Sequence, residues 1–386
     1  MRLTKVIDIN DFKDTEMEPY LMEIAGLEAT IFKEQPRIIP DSKQWECAMA
    51  LRTFEALGLF KGRPIFAGIG AGTEATIYAL VNRDAIVFPV DKYLESTPWS
   101  DVAPAGFMIS PGHYSNLAVK EENIVPVSSD CTELRLPSGF FDGVFSSGSI
   151  EHFGSLEKVE RAATEIARIL KPGGIVSIST EFRLDGPYDK PWFDDNVILF
   201  TEQMLNKHIV EAGGFEVLDV DLAPPSDETF HHAVGLEDFL SKVRNIKTYR
   251  DKETVYPNTV IFHQGFLFCS VHLALRKKVS ADNKSSEKRS RPQDLGRLAD
   301  RLSSLQRSSY MSGGQDPISN ESLLNALSPG GSTISQNDPA ATHKLQAILN
   351  STSWRITRPL RIVAETLRRF KRAVRTTLSS LLKAAR

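Results

Sequence analysis

Three glycines, Gly68, Gly70 and Gly72, fall within RPIFAGIGAGTEATIYAL (residues 63–80), between a short apolar run and a helix-like one. Glycine suits such a place because a backbone turning tightly under a ligand has no room for a Cβ. The spacing is G-x-G-x-G, whereas a dinucleotide fingerprint would set its third glycine one position later, at Thr73. Glu74 then opens the helix. An acid there suits the helix dipole but repels a pyrophosphate, so a cofactor carrying positive charge fits better. Asp91 ends the next apolar run, AIVFPVD, roughly 20 residues beyond the loop, where a carboxylate can hold a ribose diol.

These residues need a frame. From Ile65 to about Leu275, strand and helix signals alternate in the rhythm of a largely parallel sheet. Candidate strands are 64–68, 85–90, 123–127, 142–147, 174–180, 215–222 and 266–275, the last two expected to close the sheet as an antiparallel pair. Residues 1–60 read as a helical lead-in, in which KQWECAMALRTFEALGLF sets Trp45, Ala48, Met49, Leu51 and Phe54 near helical spacing. In FTEQMLNKHIVEAGGFEV, Thr201 is expected to cap a helix that Gly213 and Gly214 end.

The deciding stretch is VSSDCTELRLPSGFFDGVFSSGSIEHFG (residues 127–154), followed by RILKPGGIVSIST. With the glycine loop and Asp91, this ordered set resembles the class I S-adenosylmethionine-dependent methyltransferases, over roughly residues 43–275. KQWE, GAGTE, SSGSIEHFG and STEF together look most like a bacterial subgroup associated with cell-surface polysaccharides. The resemblance implies a Rossmann-like α/β fold, with a seven-stranded, mostly parallel sheet and helices on both faces. It implies that Gly68, Gly70 and Gly72 pass under the methionine part of S-adenosyl-L-methionine and that Asp91 holds the ribose. Asp130, with the Cys131 backbone, would take the adenine amino group, and the stretch from Ser146 to His152 would line the sulfonium and the acceptor. One departure stands out: where the family commonly has an acid two residues before the first glycine, this chain has Phe66. Glu74 is then the candidate to face the cofactor's ammonium.

A sulfonium methyl is already activated, so transfer depends on positioning and on excluding water. A hydroxyl acceptor also needs a base. His152 is the first candidate, Glu151 orienting it or acting itself, and Glu181 the third; an E-H pair after this strand can equally serve only to shape the pocket. Tyr188 and Trp192, in GPYDKPWFDD, are candidates to stack on an acceptor sugar. No metal-ligand spacing is present: Cys47, Cys131 and Cys269 lie far apart, which also points to a reducing compartment.

Beyond the catalytic region (61–278), residues 279–344 read as a low-complexity linker with a short helix at 293–306, and 345–386 as a basic amphipathic segment. From Trp354 to Arg386 ten Lys/Arg face one Glu; the tail carries +9 against −3 for the whole chain, leaving −12 on the other 353 residues. Apolar residues at 356, 360, 363, 367, 370, 374, 378 and 381 make one helical stripe, suited to an anionic inner membrane surface bound through 351–386. The same stripes suit self-association through 293–306 or 356–382. STSWRITRPLR also looks like a C-terminal S-x-S-W-R-x-T-x-P-L-R signature of bacterial enzymes acting on surface glycans. The expected protein is a cytoplasmic enzyme, peripheral on the inner membrane, that O-methylates a sugar of a lipid-linked or nascent polysaccharide. The alternatives are a methyltransferase for a small molecule, lipid or quinone, or a silent module working through its tail. Nicotinamide and nucleic-acid readings are disfavoured, by Thr73 and by the acidic body.

Overall fold

The computed structural model describes residues 1–95, 97, 99–115, 119–187, 197–243, 246 and 248–279. The linker, the 293–306 helix, the basic tail, Tyr188 and Trp192 lie outside the described residues.

The described residues form an 11-stranded sheet. Its strands are β1 (Thr4–Val6), β2 (Ile65–Ile69), β3 (Ile86–Asp91), β4 (Val127–Ser128), β5 (Phe141–Ser147), β6 (Leu170–Asp185), β7 (Phe215–Val217), β8 (Val220–Asp221), β9 (Val234–Gly235), β10 (Val260–His263) and β11 (Phe266–Lys277). The order is β4-β3-β2-β5-β6-β11-β1-β8, with β7 and β10 also pairing with β11. Neighbours from β4 to β6 run parallel, and β11 lies antiparallel to β6 and β7. Strands covered on both faces should read as unbroken apolar runs, and IFAGI in β2 is buried throughout. The chain moves outward from β2 to β4, then returns to β5 on the other side of β2. That reversal opens a crevice beyond the carboxyl ends of β2 and β5, the usual ligand position in such sheets.

Two departures from sequence expectation have physical causes. The strand expected at 123–127 narrows to an isolated bridge, Val87 with Ile124, and the two residues of β4. Val87 and Asp91 both turn carbonyls toward this neighbour, accepting from Val125 N–H (2.8 Å) and Ser129 N–H (3.1 Å). Pro89, two residues from each, faces the same side with no N–H to give. The lead-in, helical as expected over much of its length, opens with a strand. β1 pairs Lys5 with His272 and Val6 with Val271 of β11. Buried His272 ties it down, its Nδ1 2.6 Å from Leu3 O and its Nε2 2.8 Å from Ser177 Oγ.

Helices α1 (Glu18–Phe32), α2 (Ser42–Ala56), α3 (Ala75–Asn82) and α4 (Leu156–Ile169) pack on this frame. α2 starts where the Asp41 side chain accepts from Lys43 N–H, and it is buried from Gln44 to Phe54. α4 buries Val159, Ala162, Ala163, Ile166 and Ile169 at helical spacing. Its Arg168 donates to Leu134 O (2.7 Å) and Leu136 O (2.8 Å), shaping the loop after β4. Thr201 caps the short helix α5 (Glu202–Leu205), which runs on as a π-helical turn over Asn206–Glu211 before Gly214 turns the chain into β7.

Candidate functional site

Gly70 and Gly72 have left-handed φ of +63° and +48°. A Cβ on Gly70 would stand 2.6 Å from Ser149 Oγ, and one on Gly72 2.6 Å from Val102 O. At Gly68 a Cβ would strike the Phe145 ring. The glycines are therefore required first by the protein's own close packing around the loop. The amides are then used: Gly70 N–H donates to Val90 O (2.9 Å) and Gly72 N–H to Asp91 Oδ2 (2.9 Å). Asp91 Oδ1 accepts from Lys92 N–H at 2.7 Å. Burial raises the Asp91 pKa, although these two amides oppose the shift.

Asp130, just past β4, pairs with Lys92 Nζ at 2.7 Å and accepts from Thr132 N–H (2.8 Å) and Oγ (2.6 Å). Burial works to raise its pKa, but Lys92 and Thr132 outweigh it and bring the carboxyl down to about 2. The Cys131 thiol, pushed up by burial, lies against the Gly70 amide. Ser146 and Ser149 share a 2.8 Å hydrogen bond, and Ser149 donates to Ile69 O at 3.0 Å, locking the turn after β5 onto the end of β2. The expected cofactor residues thus converge at the carboxyl ends of β2, β3, β4 and β5.

On the other side of the loop lies a group of charged side chains. Lys43 Nζ donates to Glu46 Oε2 (2.7 Å) and to Ser147 O (2.8 Å), and a Cβ on Gly148 would stand 2.6 Å from it. Its side chain is 49% exposed, yet burial around the ammonium is overcome by Glu46 and Glu74, which hold its proton more tightly than usual. Glu46 also accepts from Ser270 Oγ at 2.7 Å. Glu74 accepts from Ser147 Oγ at 3.2 Å, and its pKa is raised by burial to about 7. Glu151 accepts from Thr180 Oγ at 2.9 Å and is raised by burial. Glu181 is pushed well above the ordinary range by burial, then by Glu151 and Glu46. His152 is 22% exposed, with Nε2 3.9 Å from Glu151 Oε1, and the Trp99 ring lies 4.3 Å away at a 43° tilt.

The structure places Glu151 close to both His152 and Glu181. At 3.9 Å, Glu151 does not hydrogen-bond His152; its engaged partner is Thr180. Lys43, Glu46, Ser147 and Trp99 received no individual role from the sequence. The signal for the first two was present, since a Lys and a Glu one turn apart on an otherwise buried helix need a polar reason to be there. Among the described residues, no group of three or more His, Cys, Asp or Glu is arranged to hold a metal ion. A cleft of about 270 Å³ lined by Lys61, Asp142 and Lys171 lies at the opposite ends of the strands and contains none of these residues.

Residues 105–178 match a family model described as a methyltransferase domain. This is a Rossmann-like methyltransferase fold. Similar solved structures include a Galdieria sulphuraria protein provisionally described as a sarcosine dimethylglycine methyltransferase, 16% identical over 61% of this chain and 85% of that one, with a TM-score of 0.42. The Burkholderia thailandensis 1,6-didemethyltoxoflavin-N1-methyltransferase, solved with 1,6-didemethyltoxoflavin and S-adenosylhomocysteine, is 17% identical over 62% and 79%, with a TM-score of 0.36. The [4+2]-cyclase SpnF is 16% identical over 69% and 97%, with a TM-score of 0.39. No curated protein sequence matches the chain.

The cofactor of this methyltransferase domain is S-adenosyl-L-methionine, and the donor set suits it. Asp91 and Asp130 offer carboxylate acceptors for a ribose diol and an amino group. Glu46, Glu74, Glu151 and Glu181 outnumber Lys43, so the far side of the loop is short of positive charge. A cationic ligand would relieve that shortage. Phe66 cannot contribute, being fully buried against Phe54 and Phe60. Among the described residues, no helix is long and apolar enough to cross a membrane.

Proposed function

We propose that the protein is an S-adenosylmethionine-dependent O-methyltransferase acting on a sugar hydroxyl of a lipid-linked or nascent surface polysaccharide at the cytoplasmic membrane face. One observation carries the oxygen acceptor. A histidine, a buried carboxylate and a half-buried one, His152, Glu151 and Glu181, lie just after β5 and in the later part of β6 beside the glycine loop, and both carboxyls have raised proton affinity. A hydroxyl nucleophile must lose its proton, and groups whose pKa values are displaced toward neutrality are suited to take it.

The bound cofactor supplies a methyl group activated by its positive sulfur. Asp91 and Asp130 fix its nucleoside half, while Glu74 faces its amino-acid half with the charge that Phe66 lacks. His152 accepts the hydroxyl proton, and the buried Glu151 stabilises the imidazolium through space at 3.9 Å. The sugar and the membrane rest on the polysaccharide-associated motifs and on the basic tail in the sequence.

Calorimetry with S-adenosylmethionine and NAD tests the foundation. Binding of the first alone, lost in Gly70→Arg and Asp91→Ala, is expected; absence of binding would sink the reading. Transfer of labelled methyl to surface glycans, located by mass spectrometry, tests the acceptor. Removing 351–386 is expected to release the protein from anionic vesicles with cofactor binding intact, and unchanged sedimentation would defeat the membrane assignment.

A further inference from the structure

The stretch from Lys92 to Pro126, between β3 and β4, is built unlike the rest of the domain. Among its described residues it forms three 3-10 turns, Ala105–Met108, Pro111–Tyr114 and Glu121–Asn123, and no α-helix. It is strapped to the glycine loop and the helix after it. Tyr93 OH donates to Gly72 O (2.5 Å), Val102 O fills the space a Gly72 side chain would need, and Tyr78 OH donates to Pro111 O (3.0 Å). Within it Tyr93 stacks on Phe107 with centroids 5.2 Å apart, and Tyr114 meets Phe107 edge-on at 5.5 Å.

Trp99 rides on this strap. Its turn is held by Thr97 N–H to Ser100 Oγ (2.9 Å) and Trp99 N–H to Thr97 Oγ (3.1 Å), and its carbonyl accepts from Val102 and Ala103 at 2.9 Å. Among the described residues it belongs to no apolar core cluster, whereas Trp45 is fully buried with its Nε1–H on Asp11. An indole outside the core, apolar on its face and polar at its N–H edge, suits a ligand that has the same two characters. Here the ring leans on His152 at 4.3 Å with a 43° opening. The two rings form a wedge rather than a stack.

We propose that Trp99 is the acceptor platform of this site, on which the C–H face of a pyranose ring lies while a ring hydroxyl at the mouth of the wedge meets His152. A pyranose presents axial C–H groups on its face and hydroxyls at its edge, so the indole takes the apolar face and leaves the edge free for chemistry. The strap's anchors on the glycine loop set the distance between platform and methyl donor. This inference rests on the methyl-transfer reading above and adds the residue that selects the acceptor's shape.

The test uses the full chain loaded with S-adenosylhomocysteine and a panel of methyl α- and β-pyranosides. Saturation-transfer NMR is expected to mark the C–H face of at least one pyranoside in the wild type and in Trp99→Phe. Trp99→Leu, which keeps apolar bulk but no ring, and Trp99→Ala should weaken that binding about tenfold. The S-adenosylhomocysteine affinity and melting temperature should stay at wild-type values. With labelled S-adenosylmethionine and the same pyranoside, Trp99→Leu should raise KM about tenfold and leave kcat within about threefold. Wild-type pyranoside binding by Trp99→Leu overturns the platform, as does a wild type that binds S-adenosylhomocysteine but no pyranoside. A wild type that fails to bind S-adenosylhomocysteine removes the methyl-transfer reading itself, and the platform with it.

Discussion

Lys43 Nζ sits 2.7 Å from Glu46 Oε2, one turn along α2, and 2.8 Å from the carbonyl of Ser147 at the end of β5. One helix and one strand end are thereby joined at a single ammonium, with Glu74 also drawing on its charge. Lys43→Met would leave Glu46 with only its Ser270 bond and deprive Glu74 of its main opposing charge. The expected loss is about 1–2 kcal/mol, below the usual cost of breaking a buried pair because half of the lysine side chain is open. Urea unfolding at pH 8 measures it. A variant as stable as the wild type would mean that the pair is held by solvent rather than by the fold.

Glu74 is the opposite case, a carboxylate held where its charge is costly. Its pKa rises from 4.5 to about 7 in the fold, chiefly through burial. The folded state binds the extra proton, so the advantage is complete below pH 4.5 and lost as pH rises through 7. Glu74→Gln should therefore stabilise the cofactor-free protein by about 1–3 kcal/mol at pH 8, with the gain shrinking toward pH 5. The same change should weaken S-adenosylmethionine binding about tenfold at pH 8, since a cation loses its counter-charge. Denaturation and calorimetry across pH 5–8 check both signs. A gain in stability with no loss of affinity would remove Glu74 from the cofactor site.

How far the site could be read from residue order follows from how local each part is. Gly70, Gly72 and Asp91 were legible because a tight turn and a strand end are properties of a few neighbours, and the structure joins them by the Gly72 amide to Asp91. Strands β2, β3, β5 and β6 were legible from their apolar residues between turn signals. β1 was not, since three residues carry no period and its pairing to β11 is closed by His272, more than 260 positions away. Pro89 could have warned of the short β4, because its missing N–H matters only toward one neighbour. Trp99 sits in a stretch with no periodicity, and its meaning appears only once the strap brings it to His152.

His272 makes the N-terminal strand sensitive to acid. Its pKa falls from 6.5 to about 4, mainly by burial, so the fold keeps it neutral between Leu3 O and Ser177. The unfolded chain takes up a proton below pH 6.5 that the folded chain refuses until about 4. Stability contributed by the neutral ring is complete above 6.5 and falls by about 3 kcal/mol as pH drops to 4. His272→Gln should be less stable at pH 7 but show a shallower loss between pH 6.5 and 4.5, by up to one proton in the slope. Denaturant midpoints at stepped pH decide this; identical slopes would show that other groups govern the acid response.

Gly72 and Gly139 separate backbone strain from lost space. Both have left-handed φ, +48° and +62°, but a Cβ on Gly139 meets nothing within 4 Å while one on Gly72 meets Val102 O at 2.6 Å. Gly139→Ala should cost about 1 kcal/mol, the left-handed penalty alone. Gly72→Ala adds the displacement of the strap backbone, for about 2–5 kcal/mol in total. Because Gly72 N–H also holds Asp91 and its carbonyl holds Tyr93, the displacement reaches Asp91 and the strap together. S-adenosylmethionine affinity should then fall at least tenfold in Gly72→Ala and stay unchanged in Gly139→Ala. Paired urea melts and calorimetry test the contrast, and equal behaviour of the two variants would show that the strap yields freely and does not frame the site.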